Sequence, residues 1–353
     1  MKKKYLITGG AGFIGSALVR NLVKSGQQVL NCDKLTYSGD LSTLKEVSDK
    51  TNYSFFKEDI INKKKISKIL NNFKPDVVIN LAAETHVDRS IENPEIFIKT
   101  NIIGTYNLIV ECNKYFSNSA KKNSFKFIQV STDEVFGSLG NKGTFNEQSA
   151  YDPSSPYSAS KASADHLVKA WNKTYNFPSI ITNCSNNYGP FQFPEKLIPL
   201  IILNAVQEKN LPVYGKGLQV RDWLHVDDHA RALKCVAENG VPGETYSIGG
   251  SNEKKNIDLV KKICLILQKI RPPKSIQNYQ ELITLVEDRP GHDFRYAISN
   301  KKIKKKLRWT PKVDFNVGLK ETIVWYLQNL VWCKKILDKK KYRLQRLGII
   351  KNG

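Results

Sequence analysis

The sequence predicts an α/β protein with a doubly wound parallel sheet and a smaller carboxyl-terminal α/β portion. Two observations support this fold class. Short apolar runs alternate with helical patterns through the first half of the chain, which is the order expected when helices cover both faces of a parallel sheet. The first apolar run is followed directly by a cluster of glycines that opens a helix.

The glycine cluster follows the first predicted strand, residues 5–8. Gly10, Gly12 and Gly15 fit the spacing G-x-G-x-x-G, and Gly9, Gly12 and Gly15 fit the wider spacing G-x-x-G-x-x-G. With either spacing, glycines at a strand-to-helix turn let the backbone approach a pyrophosphate, which binds at the helix amino terminus. The cluster therefore predicts a phosphate-binding turn.

An acid follows the glycines at the distance expected of a dinucleotide site. The second predicted strand, residues 28–32, ends in Asp33, where a carboxylate can accept hydrogen bonds from an adenosine ribose. Strand, glycines, helix, strand and acid in this order predict a Rossmann-type dinucleotide-binding domain. Asp33 favours NAD over NADP because a carboxylate repels a 2′-phosphate, although the neighbouring Lys34 is a feature that suits NADP.

The alternation continues beyond this unit. Further strands are predicted at residues 53–57, 76–80, 125–130 and 179–184, and long helices at 94–116 and 157–175. After about residue 190 the pattern loosens into loop-like segments with cations, aromatic residues and prolines, at 193–197, 211–215, 221–223 and 287–292. These segments suit a lid that grips an anionic ligand. The basic run 334–351 predicts a solvated helix and tail.

A group of polar residues follows the predicted strand 125–130. Asp133 and Glu134 come at its carboxyl end, which in an open α/β sheet faces the ligand crevice. Tyr157 and Lys161 are four residues apart in a helical pattern, so they share one face. We expect the ammonium to lower the pKa of the phenol, which would make Tyr157 a base near neutral pH. Two adjacent carboxyls can divide acid and base roles.

Composition excludes several classes of function. The 353 residues carry a net charge of +22, but the basic residues are scattered and no nucleic-acid-binding motif is present, so we expect no nucleic-acid partner. The 6 cysteines are far apart without C-x-x-C, which indicates buried thiols in a reducing compartment. No apolar run suits a signal peptide or a bilayer span, so we expect a cytoplasmic protein with no membrane partner.

One segment resembles a metal site. His225 and His229 are four residues apart with Asp227 and Asp228 between them. No third cluster of ligands accompanies them, so we predict no metal, and we interpret Asp227 or Asp228 as the cap of a helix that begins at this point.

Several segments together resemble the nucleotide-sugar 4,6-dehydratases of the extended short-chain dehydrogenase/reductase family, over the chain to about residue 330. The glycine turn and the Tyr157–Lys161 pair are typical of the whole family. The acidic pair after Thr132 and the Arg-Pro-Gly-His segment are typical of the dehydratases. The segments that carry the resemblance are 8–15, 33–37, 81–90, 131–134, 153–161, 183–189, 221–223, 255–256 and 288–292.

The resemblance implies a hydro-lyase that uses NAD and converts a sugar nucleotide, dTDP-glucose above all, to its 4-keto-6-deoxy product. It implies an NAD site formed by Gly9, Gly12, Phe13, Ile14, Gly15, Asp33, Lys34, Leu35, Thr36, Asp59, Ile60, Leu81, Ala82, Ala83, Glu84, Thr85, Thr100, Tyr157, Lys161 and Asn187. It implies a sugar-nucleotide site formed by Thr85, Thr132, Asn186, Lys196, Leu197, Pro212, Val213, Tyr214, Arg221, Asn256, Asp288, Arg289 and His292.

The family mechanism assigns each catalytic role. Tyr157, activated by Lys161, would remove the proton of the sugar C4 hydroxyl, and Thr132 would hydrogen-bond that oxygen. Glu134 would remove the C5 proton while Asp133, kept protonated by burial and by Glu134, donates to the departing C6 hydroxyl.

The resemblance also implies an organisation for the whole chain. We divide it into an NAD-binding Rossmann-type domain (1–185) that contributes the catalytic residues, a mainly sugar-nucleotide-binding domain (186–330) and a basic carboxyl-terminal helix and tail (331–353). A homodimer is expected through the helices at 94–116 and 157–175. The product is expected to enter deoxysugar synthesis, for example of rhamnose.

Two alternatives remain open from the sequence. A 4-epimerase or decarboxylase of the same family would use Tyr157, Lys161 and NAD but needs no acidic pair, and a non-catalytic NAD-binding scaffold would need neither. The nucleotide base (thymidine, uridine or cytidine) also stays open. Three positions depart from the family pattern: Thr85 replaces a usual Ser, and Phe136 and His225 each replace a usual Tyr. We expect Phe136 to remove one hydroxyl near the catalytic pair.

Overall fold

The computed structural model describes residues 2–119 and 124–339. Its strands, in chain order, are β1 (Lys4–Thr8), β2 (Gln28–Asp33), β3 (Tyr53–Lys57), β4 (Val77–Asn80), β5 (Lys126–Thr132), β6 (Ser179–Cys184), β7 (Asn186–Tyr188), β8 (Leu211–Tyr214), β9 (Val220–His225), β10 (Thr245–Ile248), β11 (Glu253–Lys255) and β12 (Ile283–Val286).

Its helices are α1 (Phe13–Lys24), α2 (Lys63–Phe73), α3 (Val87–Glu92), α4 (Pro94–Phe97), α5 (Thr105–Asn118), α6 (Pro156–Tyr175), α7 (Leu197–Val206), α8 (Val226–Asn239), α9 (Asn256–Ile270), α10 (Lys301–Leu307), α11 (Phe315–Gln328) and α12 (Leu330–Lys339).

Seven strands form a parallel sheet in the order β10-β6-β5-β4-β1-β2-β3. Strand β1 has β2 on one side and β4 on the other, so the winding direction reverses there, and a crevice opens outside the carboxyl ends of the strands. Helices α1 and α8 pack on one face of the sheet, while α2, α5 and α6 pack on the other. The predicted doubly wound α/β fold is therefore confirmed.

Alternating side chains of β1 show how the sheet divides the core. Tyr5 and Ile7 belong to the cluster that includes α1, and Leu6 belongs to the cluster that includes α2 and α5. All three side chains are fully buried because both faces of a parallel sheet are covered by helices. The sheet is completed by β10, from residues 245–248, which pairs with β6 beyond the division drawn at residue 185. That division stays a prediction.

A smaller portion contains the sheets β11-β9-β7 and β12-β8, packed with α7, α9 and α11 around a second core. The prediction that residues 211–215 and 221–223 are loop-like was wrong. The first segment forms most of β8 and the second lies within β9. Strand β8 pairs with β12, about 70 residues later, and such a long-range partner leaves no local signal in a four-residue strand that contains Pro212.

The single helix predicted at 94–116 is interrupted. Between α4 and α5 the residues Ile98–Gly104 form a π-helical segment. Asn101, in this segment, exchanges hydrogen bonds with the backbone of Glu84 (2.9 and 3.0 Å) and donates to Ser160 Oγ (2.8 Å). π-Helical turns often occur at functional sites, and this turn fixes the loop that follows β4.

Helix α12 is not fully solvated, in contrast to the prediction for its basic sequence. Cys333 and Ile336 are buried. Trp332 Nε1 donates to Ser42 Oγ at 2.9 Å, and Lys339 Nζ lies 2.7 Å from Asp40 Oδ2. The helix therefore packs on the segment between β2 and β3. The rest of the predicted tail, residues 340–353, lies outside the described residues.

The capping prediction at helix α8 was also wrong. The cap residue is His225, whose Nδ1 accepts from the Asp227 amide at 3.3 Å. Asp228 is buried and instead accepts from the amides of Lys312 and Val313, both at 2.9 Å. Nowhere in residues 2–119 and 124–339 do three or more His, Cys, Asp or Glu side chains come together to hold a metal ion. Within the same residues, no helix is long and apolar enough to span a bilayer.

Candidate active site

The cleft at the carboxyl ends of β1, β2, β4, β5 and β6 contains two connected cavities. The first is lined by the residues predicted to hold NAD, with the exception of Leu35, and by all five predicted catalytic residues. The second is lined by the predicted sugar-nucleotide residues apart from Thr132, which lines the first cavity, and Asp288. The residues that line both cavities are Thr85, Glu134, Asn186, Glu195, Lys196, Leu197 and Trp223.

The glycine turn has room for a ligand on one side only. A Cβ on Gly12, which lines the first cavity, would meet nothing nearer than Gly9 O at 3.4 Å. A Cβ on Gly15 would lie 2.2 Å from Gly9 O and 2.7 Å from Gly10 Cα. Gly9 adopts φ +74°, and a Cβ there would lie 2.6 Å from Ala82 N. The turn is thus packed tightly against the sheet and open toward the cleft, which fits a pyrophosphate at the start of α1.

We expect Gly15→Ala to destabilise the protein by about 3 kcal/mol and to abolish NAD binding, because the new methyl group overlaps backbone that cannot move independently. Urea unfolding and calorimetric titration with NAD measure the two effects. Gly140→Ala is the matched control, since a Cβ there meets no atom within 4 Å. Equal stability and equal NAD affinity of the two variants would contradict the tight packing of this turn.

Asp33 lines the first cavity and also hydrogen-bonds the glycine turn. Its carboxylate accepts from the amides of Ala11 at 2.9 Å and Leu35 at 2.7 Å. Leu35 therefore contributes its amide to Asp33, and its side chain lies outside the lining. Lys34 Nζ pairs with Asp59 Oδ2 at 2.7 Å. The Asp59 carboxylate competes with a 2′-phosphate for this ammonium, so the geometry fits NAD better than NADP.

The catalytic candidates lie on two adjoining elements. Strand β5 ends at Thr132, whose Oγ1 accepts from the Glu134 amide at 3.2 Å and starts the short 3₁₀ turn that carries the acidic pair. Tyr157 lies in the first turn of α6, which a Ser155–Ser158 capping box and Pro156 define. These local signals determine where the 3₁₀ turn and α6 begin, and the catalytic candidates on both line the first cavity.

The prediction that the pKa of Tyr157 is lowered was wrong for the protein without a bound cofactor. Burial raises the pKa of Tyr157 well above its usual value, and the carboxylate of Glu134 raises it further. The Lys161 ammonium donates to Val130 O at 2.7 Å, and burial lowers its own pKa while Asp165 opposes that shift. The four-residue spacing was visible in the sequence, but the burial of the phenol was not. A cationic group beside Tyr157 would be needed to bring its pKa down.

The acidic pair is asymmetric. Burial raises the pKa of Asp133 well above its usual value, and Glu134 and Asp222 raise it further. Burial also raises the pKa of Glu134, but Arg289, Arg221 and Lys196 oppose that shift. Asp133 is thus suited to hold a proton and Glu134 to lose one, the division that acid and base roles require.

The raised pKa of Asp133 predicts a pH-dependent cost in stability. Above about pH 4 the unfolded chain releases this proton while the native state keeps it. The native state then binds more protons, so stability falls as pH rises through that window. We expect Asp133→Asn to raise Tm by about 2 °C at pH 8, and the difference to narrow toward pH 4. Thermal unfolding at both pH values tests this, and a pH-independent difference would contradict it.

The second cavity is basic and contains unsatisfied polar groups. Arg221 donates to the backbone carbonyls of Val220 (2.8 Å) and Asp293 (2.9 Å), and its guanidinium lies over the Tyr296 ring. Burial lowers the pKa of His292 to about 4, and the nearby Arg289 makes the next largest contribution. This imidazole is therefore neutral at pH 7. Polar atoms that line this cavity and that make no hydrogen bond within the described part of the chain are His86 Nδ1, Asn186 Oδ1, Glu195 Oε1, Trp223 Nε1, Asn256 Oδ1 and Arg289 Nε. They fit a polar ligand.

Sequence reasoning missed several lining residues. Glu195 pairs with Arg89 at 2.8 Å, and the Arg89 guanidinium lies over the Tyr37 ring, so this group connects the two cavities. Arg89 and Glu195 are 106 residues apart in the sequence, and only their opposite charges could have suggested that they pair. The missed residues include Cys32, Tyr37, Ser38, Gly39, Glu58, Cys184, Ser185, Gln192, Phe193, Glu195, Trp223, His86, Asp88 and Tyr296.

Phe136 does not line either cavity. Its ring stacks on Phe145 at 5.2 Å and meets the edge of Tyr151 at 5.2 Å, inside an apolar cluster behind the cleft. Tyr151 donates to Asp165, which also accepts from Ser131. The hydroxyl that Phe136 lacks would therefore lie among these packed rings and not among the reacting groups.

Known proteins share both the sequence and the fold. Residues 6–322 match the family described as GDP-mannose 4,6 dehydratase. A dTDP-glucose 4,6-dehydratase of Escherichia coli is 53% identical over 98% of this chain and 99% of its own length. The crystal structure of dTDP-glucose 4,6-dehydratase from Bacillus anthracis in complex with NAD is 45% identical, with a TM-score of 0.84 over 95% of this chain and 99% of that one.

A dTDP-glucose 4,6-dehydratase from Streptomyces venezuelae, also crystallised with NAD, is 37% identical, with a TM-score of 0.87 over 94% of this chain and 99% of that one. Sequence and fold agree over nearly the full length of each of these proteins. The chain belongs to the nucleotide-sugar 4,6-dehydratases of the extended short-chain dehydrogenase/reductase family.

Proposed function

We propose that this chain is a hydro-lyase that dehydrates dTDP-glucose to dTDP-4-keto-6-deoxyglucose with NAD as its bound cofactor. The observation that carries the proposal is the acidic pair Asp133–Glu134, a buried and a half-buried carboxyl that line one cleft together with Tyr157 and Lys161. The relatives named above support the substrate and the cofactor.

The first cavity would hold NAD. The open face of Gly12 would receive the pyrophosphate, and Asp33 would accept hydrogen bonds from the adenosine ribose. When bound, NAD accepts the C4 hydride of the sugar and later returns it to C6. Its cationic ring would also lower the pKa of the neighbouring phenol, in the direction that Tyr157 needs in order to act as a base.

The protein groups supply the proton transfers. Tyr157 takes the proton of the C4 hydroxyl as that carbon becomes a ketone, and Thr132 donates a hydrogen bond to the same oxygen. The ketone acidifies the C5 hydrogen, which Glu134 removes. Asp133 gives its proton to the C6 hydroxyl, which leaves as water. Glu134 then returns a proton to C5 as C6 becomes a methyl group. The cycle ends with one extra proton on Tyr157 and one missing from Asp133, so the protons balance once Tyr157 releases its proton and Asp133 takes one up.

The second cavity would hold the nucleotide. Lys196, Arg221 and Arg289 line it, and they provide the positive charge that a diphosphate requires. Tyr214 lies at its wall, where a ring can stack on a base. The sugar would then reach the junction of the two cavities, where Glu134 lies. The thymidine preference rests on the relatives.

The competing functions leave features of the site unexplained. A 4-epimerase or decarboxylase needs Tyr157 and Lys161 but gives no role to a buried Asp133 with a raised pKa. A non-catalytic scaffold gives no role to either pair. The dehydratase proposal uses all four residues.

We further propose a cytoplasmic homodimer whose product enters deoxysugar synthesis. Support for the dimer comes from exposed apolar side chains on the helices predicted to form its interface: Ile98 (51% exposed), Ile103 (45%) and Tyr175 (53%). Contact with a second copy would remove this apolar surface from water. A monomer by light scattering would exclude the dimer.

The function is tested by incubating the purified protein with dTDP-glucose and following the absorbance of a 4-ketosugar in alkali. We expect product without added reductant. UDP-glucose and CDP-glucose, tested in parallel, measure the base preference. Absence of ketosugar from all three nucleotides would contradict the proposal.

A further inference from the structure

Asp88 connects the two portions of the protein at the wall of the second cavity. It lies in the first turn of α3, after the loop that follows β4, and it is 3% exposed. Its Oδ2 accepts from Tyr214 Oη at 2.7 Å, and its Oδ1 accepts from Arg289 Nη1 at 3.0 Å. One carboxylate therefore contacts two residues that follow or end the paired strands β8 and β12.

The contact with Asp88 leaves one edge of the Arg289 guanidinium for a ligand. Asp88 uses Nη1, whereas Nε is buried and makes no hydrogen bond within residues 2–119 and 124–339. Nε and Nη2 form the edge of a guanidinium that can bind a phosphate with two parallel hydrogen bonds. Because the guanidinium is planar, fixing Nη1 restricts the direction in which that edge points.

The backbone at Arg289 is fixed as well. Its amide donates to Asp288 Oδ1 at 2.9 Å, and Asp288 accepts from Gln219 Nε2 at 2.7 Å. Burial disfavours the charged guanidinium, but Asp88 and Glu134 more than offset this effect and leave the pKa of Arg289 above its usual value. Asp288 thus binds the backbone amide of Arg289, and Asp88 binds its guanidinium.

We propose that Asp88 is a positioning residue that orients Arg289 and Tyr214 toward the diphosphate and the base of the sugar nucleotide. This inference rests on the proposed function, in which the second cavity binds that nucleotide. The Asp88 carboxylate also repels a diphosphate, but its charge is already paired with Arg289 at 3.0 Å. Orientation is therefore expected to outweigh repulsion, and loss of the carboxylate is expected to weaken binding.

Asp88→Asn keeps the shape of the side chain and removes its charge. We expect the Kd for thymidine diphosphate and the KM for dTDP-glucose each to rise about 10-fold, with kcat within about 2-fold and the Kd for NAD unchanged. Isothermal titration and initial rates measure these values. Asp258→Asn, at an exposed position of α9, is the control for the loss of one carboxylate.

A double-mutant cycle separates positioning from a general structural role. In the Arg289→Ala background the orienting contact is absent and the Asp88 carboxylate has lost this partner, so Asp88→Asn should no longer raise the Kd for thymidine diphosphate. An equal rise in both backgrounds, or unchanged or tighter binding when Asp88→Asn is made alone, would overturn the proposal. If the wild type binds thymidine diphosphate but does not convert dTDP-glucose, the proposed function fails, while the cycle still decides the role of Asp88.

Discussion

Asp133→Asn combined with Glu134→Gln is expected to stop the reaction after oxidation at C4. Neither side chain can then exchange the protons that elimination requires, while Tyr157 and Lys161 remain intact. We expect kcat for dehydration to fall by about 10³-fold or more, since each general acid or base contributes about 10² to 10⁴. Single-turnover absorbance should show NADH that forms and persists, because the hydride has no alkene to return to.

The control for this variant is Glu111→Gln, which changes a buried carboxyl of α5 away from the cleft. It should keep the wild-type rate. An unchanged rate for the double variant would remove the acidic pair from the mechanism. A lower rate with no NADH would assign the pair to an earlier step, and that result would also contradict the proposed roles of Asp133 and Glu134.

Tyr157→Phe is expected to give the opposite signature. Without the phenol, the C4 hydroxyl loses the base that the mechanism assigns to it, so neither NADH nor product should appear. We expect kcat to fall by about 10²- to 10⁴-fold. Thermal stability should be preserved near neutral pH, because the raised pKa keeps the phenol uncharged there and phenylalanine retains the buried ring.

Tyr115→Phe is the matched control, since Tyr115 is also buried but donates to Pro75 O outside the cleft. The wild-type rate is expected from it. Taken with the acidic variant, the two experiments separate oxidation from elimination by whether NADH accumulates. NADH in Tyr157→Phe at the wild-type rate would show that another group is the base.

The amino-terminal half could be read from the sequence because its signals are local. The strand before Gly9 and the acid at Asp33 lie within one βαβ unit, and the central strands β1 and β4 are short apolar runs. The capping box at Ser155 likewise marks the start of α6 from neighbouring residues alone.

The features that sequence reasoning missed depend on contacts between distant residues. Strand β8 exists because β12 pairs with it, and α12 packs on the protein through contacts such as that of Trp332 with Ser42, 290 residues away along the chain. The predicted direction of the pKa shift of Tyr157 was wrong, because the burial of the phenol and its distance from Glu134 are set by the folded cleft. Arg89 and Glu195 form a pair across 106 residues, with no motif to connect them.

The central claim is that a hydride leaves C4 and returns to C6 within one active site. It is tested most directly by supplying dTDP-glucose with deuterium at C4 and recording the mass spectrum of the product. We predict the loss of one water, retention of the deuterium in the C6 methyl group and no net consumption of NAD. An isomer of unchanged mass, or a dehydrated product whose deuterium has been lost to solvent, would contradict this mechanism.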